Sequence, residues 1–478
     1  MSEAATRERP ILSLASIFAV ATAISAVSLL VGSGPSIARL SFSVLHVGTL
    51  IVSAGFLFGW IMVDARKGLW SPSAAYLAVF WVFHFGVVAL SALSILPSNP
   101  LTAYASAWLY TESGHAAVYL SLVAFVSVIA GAGIGRFLIL NRRRSHSGSA
   151  DRRLGRVVGV TGTGLLLVCS AVWAGLLFSR GGFRIFAVSY ADYLEAIEGL
   201  GWVLGMLWLV CGWGLILASS APKGRVRALG LTVFFILGTT AFLLGTRGQI
   251  LFPLVAAGIA RAKGEKFLTL RQTLLAAFLL LLAVSAVRTL RVSGVGRVSN
   301  AEISFSAVEG LQELGMSLKP VERAVSWRQT GDPLRFGETY WAPIDRALVH
   351  VLPDWKRPPA ATDDRLLNVL TLYRAGPIGF SPVAEAYLNF GLPGVVVAMG
   401  LLGVLLGRFD SLPPTLASRL VIGIMMIPLL VNVRNSFAEI PARLVLSALF
   451  LIVLLTASRV IHIGGRKHTG LYGAGQTA

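Results

Sequence analysis

The chain alternates between long apolar stretches and shorter polar connections along its length. Twelve stretches are apolar enough to form membrane-crossing helices, which need about 20 residues each. No run of alternating apolar and polar residues, typical of a half-buried strand, interrupts them. We therefore predict an all-α polytopic membrane protein with about 12 transmembrane helices, at Ile11–Val31, Leu40–Val63, Ala74–Leu96, His115–Ile139, Val157–Phe178, Trp202–Ser219, Ala228–Leu244, Ile250–Ala260, Thr273–Val287, Ala384–Leu406, Leu416–Val431 and Leu444–Ala457.

One long polar segment, 289–382, separates the ninth apolar stretch from the tenth. It is too long and too rich in structure signals to be a linker. Ser306 stands three residues before Glu309, the spacing of a capping box, and amphipathic helices are predicted to begin near Pro343 and Asp364. We predict one large helical periplasmic or extracellular loop that covers an active site as a lid. This divides the chain into membrane helices 1–9 (1–288), the loop (289–382) and membrane helices 10–12 (383–478).

Charge is distributed unevenly across this predicted topology. With a cytoplasmic N-terminus, the inner side holds 23 basic and six acidic residues, and the outer side 18 basic and 16 acidic residues. Cytoplasmic loops of membrane proteins carry an excess of lysine and arginine, so both termini are predicted to be cytoplasmic and the long loop to lie outside. The net charge of +19 and the pI near 10.7 then reflect membrane topology, and no nucleic-acid partner is predicted.

The eighth apolar stretch is unusually short, with only eleven residues, Ile250–Ala260, between Gln249 and Arg261. A helix of that length rises about 17 Å at 1.5 Å per residue, whereas the hydrocarbon core is about 30 Å thick. The turn before it, which contains Arg247, is therefore predicted to lie low in the membrane and to face an outer cavity. A charge at that depth is costly and usually functional. The alternative is a tilted span from which Arg247 extends to the outer headgroups.

The tenth apolar stretch opens with a carboxylate. Residues 376–394 read GPIGFSPVAEAYLNFGLPG, and Glu385 is their one acid. Small residues leave room around Glu385, while Tyr387 and Phe390 provide aromatic walls. A carboxylate in such a pocket can act as general base toward a hydroxyl group, and we predict this role for Glu385. The alternative is a local role only, since the helix dipole stabilises a carboxylate near a helix start and Pro382 suits such a start.

Arginines dominate the polar candidates on the predicted outer side. The planar guanidinium is a fixed cation that fits phosphate oxygens, so an enzyme acting on a lipid diphosphate could use several. We favour Arg247, Arg374 and Arg434, which lie at tight turns or span ends, and include Arg291 with them. The alternative is that most outer arginines are solvated or paired with nearby acids.

Other polar residues of the loop offer fewer candidates for chemistry. His350 and His115 are alternative bases on the outer side, whereas His84 lies mid-span, where core packing is the expectation. The adjacent acids Asp363 and Asp364 could hold a divalent cation, but Leu-Leu-Asn after them favours a helix cap. The sequence contains no zinc-binding spacing, phosphate-cradling glycine loop or serine nucleophile motif. We predict no metal site and no cofactor.

In 376–394 the chain resembles the O-antigen polysaccharide polymerase (Wzy-type) family. The residues that carry the resemblance are Gly379-Phe380-Ser381, then Glu385, then Tyr387 with Asn389-Phe390-Gly391. The general plan is also similar: about a dozen spans, one large late outer loop, and arginines such as Arg247 and Arg434 outside.

The resemblance implies a metal-independent glycosyltransferase of the bacterial plasma (inner) membrane with an outward-facing active site. It would transfer a growing glycan from undecaprenyl diphosphate to a sugar hydroxyl of the next lipid-linked oligosaccharide unit. Glu385 would accept the proton, the four favoured arginines would bind the diphosphate, and Tyr387, Asn389 and His350 would contact the glycan. The expected partners are the lipid-linked oligosaccharide, the lipid bilayer, a flippase and a chain-length regulator.

Three alternatives remain open at this point. An O-antigen ligase would use similar arginines on a similar plan. A mannosyltransferase-like enzyme often carries paired acids in its first outer loop, and 32–39 contains none. A polysaccharide or lipid-linked glycan transporter would be expected to show inverted repeats with matching broken helices, whereas here only one short span is seen.

Overall fold

The computed structural model describes most of the chain. It covers residues 21–32, 40–63, 68–96, 106–138, 149–182, 184, 188–265, 267–293, 305–348, 352 and 356–471.

The regular structure of these described residues is helical throughout. Apart from short 3₁₀ turns, it consists of the following α-helices: α1 (Ala21–Gly32), α2 (Phe42–Val63), α3 (Pro72–Ala92), α4 (Glu112–Phe137), α5 (Ser149–Gly181), α6 (Tyr190–Ala196), α7 (Gly201–Ser220), α8 (Arg225–Leu243), α9 (Gly248–Ala262), α10 (Leu270–Ser293), α11 (Ala307–Gly315), α12 (Lys319–Gln329), α13 (Glu338–Leu348), α14 (Leu367–Ala375), α15 (Pro382–Ser411), α16 (Leu416–Asn432) and α17 (Ile440–Leu471).

The predicted membrane helices are present. Within the described ranges, nine helices are long and apolar enough to cross a membrane, and α1, α9 and α16 are shorter apolar helices. Each corresponds to one of the twelve predicted stretches, although the start of the first lies outside the described residues. The prediction of an all-α polytopic membrane protein is therefore confirmed. The short eighth span is α9, which has 15 residues and begins directly after Arg247.

Helix α15, which carries Glu385, consists of two segments. Gly391 has φ 65° and ψ −154°, which no α-helix accommodates. A Cβ at Gly394 would lie 2.6 Å from the carbonyl oxygen of Ala386. Eight residues of straight helix advance about 12 Å, so this proximity requires the chain to fold back after Gly391. Segment 382–390 is thus a short separate helix, and 392–411 is long enough to cross the bilayer by itself.

The long segment of α15 is fixed along its length and at its far end. It runs parallel to α4 through a stripe of small residues: a Cβ at Gly403 would lie 2.2 Å from the carbonyl oxygen of Val128. Such stripes allow close helix packing in membranes. At the predicted inner end, the buried carboxylate of Asp410 pairs with Arg136 at 2.7 Å and accepts a hydrogen bond from Ser73.

The first helix of the predicted loop is inserted among the membrane helices. A Cβ at Gly310 of α11 would lie 2.2 Å from the carbonyl oxygen of Leu281 in α10, so only glycine permits this approach. Ser306 caps α11 as predicted, accepting a hydrogen bond from the Glu309 N–H. The Glu309 carboxylate, however, accepts from Ser285 of α10, so the capping box is only half formed.

The other loop helices differ in part from the prediction. Helix α12, which contains six buried residues, was not predicted. Helix α13 begins at Glu338, before Pro343, and α14 begins at Leu367, after Asp364. In each case the local pattern identified a helix and tertiary contacts set its bounds.

Candidate active site

Glu385 lies at the meeting point of three chain segments. Its side chain is only 1 % exposed. One carboxylate oxygen accepts a hydrogen bond of 2.8 Å from the hydroxyl of Thr339 in α13. The other accepts one of 2.6 Å from the backbone N–H of Phe437, in the turn between α16 and α17. Neither donor belongs to the helix of Glu385, and Ser381 is the residue that caps that helix. A purely local capping role therefore does not describe Glu385.

A second hydrogen-bonded layer holds Thr339 in place. The amide nitrogen of Asn389 donates to the Thr339 hydroxyl at 2.7 Å and to the Glu385 carbonyl oxygen at 2.8 Å. The amide oxygen of Asn389 accepts from the Gly337 N–H at 2.8 Å. Asn389 is completely buried. Its contacts are those of a residue that positions Thr339, and through it the carboxylate.

Arg434 lies beside the motif that precedes Glu385. Its carbonyl oxygen accepts a hydrogen bond of 3.1 Å from the N–H of Phe380. Its side chain passes over Gly379, where an added Cβ would lie 3.9 Å from Nε of Arg434. Phe437, which donates to Glu385, follows three residues later in the same turn. Arg434 and Glu385, which were predicted separately, are thus joined through the 434–437 turn.

His84, a histidine that the sequence analysis assigned to core packing, contacts the residue that caps the helix of Glu385. Nε2 of His84 in α3 lies 2.9 Å from the hydroxyl of Ser381, and Nδ1 lies 3.3 Å from the carbonyl oxygen of Phe80. A carbonyl can only accept, so Nδ1 carries the proton and Nε2 accepts from Ser381. The Phe80 ring stacks on the imidazole at 4.0 Å. The only sequence signal for this role was a histidine in an apolar stretch.

Tyr340 is a further site residue that the sequence did not indicate. Burial, together with the neighbouring Glu385 carboxylate, raises the pKa of Tyr340 well above its usual value. The phenol therefore stays protonated and neutral beside Glu385. Its ring stacks on Phe390 with 6.4 Å between centroids and meets Phe437 edge-on at 5.2 Å. Tyr340 follows Thr339 directly, so α13 supplies two polar groups to the site.

Arg247 is buried and paired with an acid of the loop. Its guanidinium lies 2.5 Å from a carboxylate oxygen of Glu313 in α11, and the side chain is 6 % exposed. The Arg247 side chain does not extend to the protein surface, as it would in the alternative of a tilted span with Arg247 reaching the outer headgroups. A carboxylate engages arginine in a way similar to a phosphate, so Arg247 is paired with an oxyanion in a buried position.

Helix α3 connects the Arg247 pair to the Glu385 region. The Phe83 ring lies 6.0 Å from that of Phe252, in the second turn of α9 after Arg247. The next residue is His84, which binds Ser381. A Cβ at Gly86 would lie 2.9 Å from the Leu311 side chain of α11. Residues 83–86 rise only about 4.5 Å along the helix, so α9, α11 and α15 meet around one short part of α3.

The remaining predicted site residues have other surroundings. Arg374 pairs with Asp332 at 2.5 Å and its guanidinium lies over the ring of Trp327 at 4.5 Å. Tyr387 is half-buried and packs against the hydrophobic core. The backbone of Arg291 lies in α10, but its side chain is outside the described part of the structure, and His350 lies outside the described residues altogether.

The acid pair of the loop is involved in ion pairs. The Asp363 carboxylate forms ion pairs with the guanidinium groups of Arg365, at 2.9 Å, and Arg346, at 3.2 Å. Although burial raises the pKa of Asp363, hydrogen bonds and charge from Arg365 outweigh it and hold the pKa below its usual value. Asp364 pairs with Arg335 at 3.4 Å. Among the described residues no group of three or more His, Cys, Asp or Glu side chains is arranged to hold a metal ion.

Similarity to known proteins covers nearly all of the helices described above. The sequence model of the family described as O-antigen polysaccharide polymerase Wzy matches residues 20–462. Protein CapE of Staphylococcus aureus is 23% identical over 410 residues, which cover 84% of this chain and 87% of CapE. No solved structure matches the chain.

Proposed function

The chain belongs to the O-antigen polysaccharide polymerase Wzy family, and we propose that it polymerises lipid-linked oligosaccharide repeat units at the outer face of the bacterial plasma membrane. In this proposal it transfers the growing glycan from undecaprenyl diphosphate to a sugar hydroxyl of the next lipid-linked unit. The observation that carries the proposal is the buried Glu385 carboxylate, which accepts hydrogen bonds from Thr339 and from Phe437, a residue of the turn that also carries Arg434.

The proposed reaction assigns Glu385 as general base. The acceptor hydroxyl oxygen forms a bond with the anomeric carbon of the donor glycan, and its proton passes to the carboxylate. The bond between that carbon and the diphosphate oxygen breaks, and undecaprenyl diphosphate leaves with the electron pair. The Thr339 hydroxyl and the Phe437 N–H aim the carboxylate, while the neutral phenol of Tyr340 offers a nearby hydrogen-bond donor.

Arginine charge would stabilise the leaving diphosphate in this mechanism. We propose Arg434 and Arg247 as its main ligands, because one borders Glu385 and the other already binds a carboxylate in a buried site. Fixed cations aimed at developing negative charge lower the barrier to its departure, which is the task that a metal ion performs in other enzymes. Arg374 and Arg291 would join them, Arg374 by exchanging Asp332 for phosphate. Tyr387 and His350 remain our candidates for the glycan side, and Asn389, which is buried and bonded to Thr339, would contribute there by positioning Thr339.

The orientation and partners follow from the charge pattern and the chemistry. Both termini would be cytoplasmic, the Glu385 end would face outward, and 289–382 would cover the site. A flippase would deliver the lipid-linked units, and a chain-length regulator would act on the product. The distribution of polar groups along α15 supports an enzyme over a transporter, since 386–407 contains no charged residue and charges return only with Arg408 and Asp410 at the far end of the helix.

A chain-extension assay tests the proposal. The purified protein in lipid vesicles receives an undecaprenyl-diphosphate oligosaccharide from its own host, without metal or nucleotide sugar, and the products are resolved by size. We expect a ladder of lipid-linked glycans. Intact substrate with no ladder would overturn the polymerase proposal. Adding a lipid A–core acceptor would then test the ligase alternative, for which a single glycan transfer to that acceptor is diagnostic.

A further inference from the structure

The turn between α12 and α13 holds a phenylalanine in an unfavourable backbone conformation. Phe336 has φ 45° and Gly337 has φ 92°, and the N–H of Glu338 donates to the Arg335 carbonyl oxygen at 2.9 Å. These values match a type I′ turn, whose two central positions favour Asn, Asp and Gly. A bulky residue at positive φ is a genuine outlier. Glycine at the second position fits the turn, whereas phenylalanine at the first does not.

The turn itself has a clear structural purpose that does not involve this side chain. Because α15 breaks at Gly391, the carbonyl groups before the break lack helical partners. The N–H of Arg335 donates to the Leu388 carbonyl oxygen at 3.0 Å, and that of Phe336 to the Asn389 carbonyl oxygen at 3.1 Å. Both contacts use backbone atoms only. Asparagine or glycine at position 336 would keep them and relieve the strain.

Packing does not explain the phenylalanine either. The Phe336 side chain is 74 % exposed, so little apolar surface is removed from water there. The preceding residue, Arg335, pairs with the exposed Asp364. Strain in a native backbone is usually retained at functional sites. An exposed ring kept in a costly backbone conformation suits contact with a ligand and does not suit the core.

The turn that carries Phe336 is also connected to Glu385. From Gly337, hydrogen bonds run through Asn389 and Thr339 to Glu385, at 2.8, 2.7 and 2.8 Å. The ring of the partly exposed Phe390 also lies close to Gly337, since its Cζ would be 3.3 Å from a Cβ added there. Phe336, which precedes Gly337 in the chain, and Phe390 are therefore both adjacent to Gly337.

We propose that Phe336, with Phe390 beside it, forms a stacking platform for a sugar ring of the repeat unit next to Glu385. The inference rests on the proposed function for the choice of ligand. One face of a pyranose carries C–H groups and its edge carries hydroxyls. An exposed aromatic ring covers the former without desolvating the latter, and the contact removes apolar area from water. The nearby ion pair of Arg335 and Asp364 offers hydrogen bonds to the hydroxyl edge.

Four variants at this position separate sugar stacking from strain and from lipid contact. F336N and F336G suit the turn and lack the ring, F336W keeps a flat ring, and F336L keeps an apolar group without one. The matched control is F305N, because Phe305 is 69 % exposed in the same outer segment. The probes are the repeat-unit oligosaccharide released from the host polysaccharide, without lipid, and undecaprenyl phosphate, without sugar.

We expect F336N and F336G to unfold at the same temperature as the wild type or higher. They and F336L should bind the free oligosaccharide about tenfold more weakly by titration calorimetry, while F336W and F305N bind it normally. Normal oligosaccharide binding by F336N would overturn the proposal. So would weaker binding of undecaprenyl phosphate with unchanged sugar binding, which would indicate lipid contact. The two proposals can fail separately. If oligosaccharide binding follows this pattern across the wild type and the variants but the wild type forms no ladder, the sugar subsite is supported and the polymerase proposal fails.

Discussion

His84 accepts a hydrogen bond of 2.9 Å from Ser381, the residue that caps the helix of Glu385. The Ser381 hydroxyl also accepts from the Val383 N–H at 3.2 Å, and the Ser381 carbonyl oxygen accepts from the Glu385 N–H at 3.0 Å. The start of the helix is thereby fixed to the middle of α3. The position of the carboxylate thus depends on a buried side chain of another helix.

Replacing His84 should reduce turnover without abolishing folding. His84→Phe fills the space but removes the acceptor, whereas His84→Gln can present an amide oxygen near the position of Nε2. Because small displacements of a catalytic group cost up to about a hundredfold in rate, we expect about tenfold slower chain extension in His84→Phe, with partial recovery in His84→Gln. Turnover at saturating substrate and the unfolding temperature are measured together. Equal turnover in His84→Phe and the wild type would exclude the positioning role.

Glu385→Gln should stop polymer formation while the protein still inserts and folds. The amide has the shape of the carboxylate but cannot take a proton, and loss of a general base typically costs about 10²- to 10⁴-fold. Size-resolved lipid-linked glycans report the loss, and Glu385→Asp serves as a comparison that keeps the base at a shorter reach. Polymer of normal length from Glu385→Gln would remove Glu385 from the mechanism.

Thr339 offers a matched pair of substitutions for the aim of the carboxylate. Thr339→Val is nearly isosteric and removes the hydroxyl that donates to Glu385 and accepts from Asn389. Thr339→Ser retains it. A buried acceptor left without its donor costs about 1 to 3 kcal/mol, so we expect chain extension to fall at least tenfold in the valine variant and to stay near wild type in the serine variant. Equal losses in both would attribute the effect to packing.

The sequence predicted the helices and the central carboxylate because both are encoded locally. Apolar runs of sufficient length reveal spans, and Glu385 was conspicuous at the start of one. The partners of Glu385 were not predictable in this way. Thr339 is 46 residues before it and Phe437 is 52 residues after it, and Phe437 contributes through its backbone, which carries no residue-specific signal.

The break at Gly391 was also missed. The sequence Gly-Leu-Pro-Gly lies within an apolar run that reads as one continuous span, and glycine and proline are both tolerated in membrane helices. The positive φ of Gly391 and the close approach of Gly394 to Ala386 reveal the fold-back. That fold-back leaves carbonyl groups for the 335–337 turn to satisfy, so one unpredicted feature explains another.

Arg247 should affect the diphosphate end of the substrate. Arg247→Ala removes a buried cation and leaves Glu313 without its ion-pair partner, and Arg247→Lys keeps a charge but not the planar fork. We expect both variants to extend chains poorly and to be inhibited at least tenfold less strongly by inorganic diphosphate. The matched control is Arg180→Ala, at an exposed position at the end of α5. Unchanged inhibition by diphosphate in Arg247→Ala would place the phosphates elsewhere.

Asp410 should control stability and leave the chemistry unaffected. Its buried carboxylate binds Arg136 and Ser73 at the opposite end of α15, and the 20 residues of 392–411 place it about 30 Å from the Glu385 region. Asp410→Asn removes the charge that compensates a largely buried arginine, which typically costs about 3 to 5 kcal/mol. Thermal unfolding in lipid measures that loss, and Ser411→Ala, whose hydroxyl bonds only within its own helix, should stay near wild type. Chain extension per folded molecule should be unchanged in Asp410→Asn. Glu385→Gln, in contrast, should keep its stability and lose chain extension.

Loss of turnover in Asp410→Asn at wild-type stability would contradict this separation. It would mean that the two polar ends of α15 act together in catalysis.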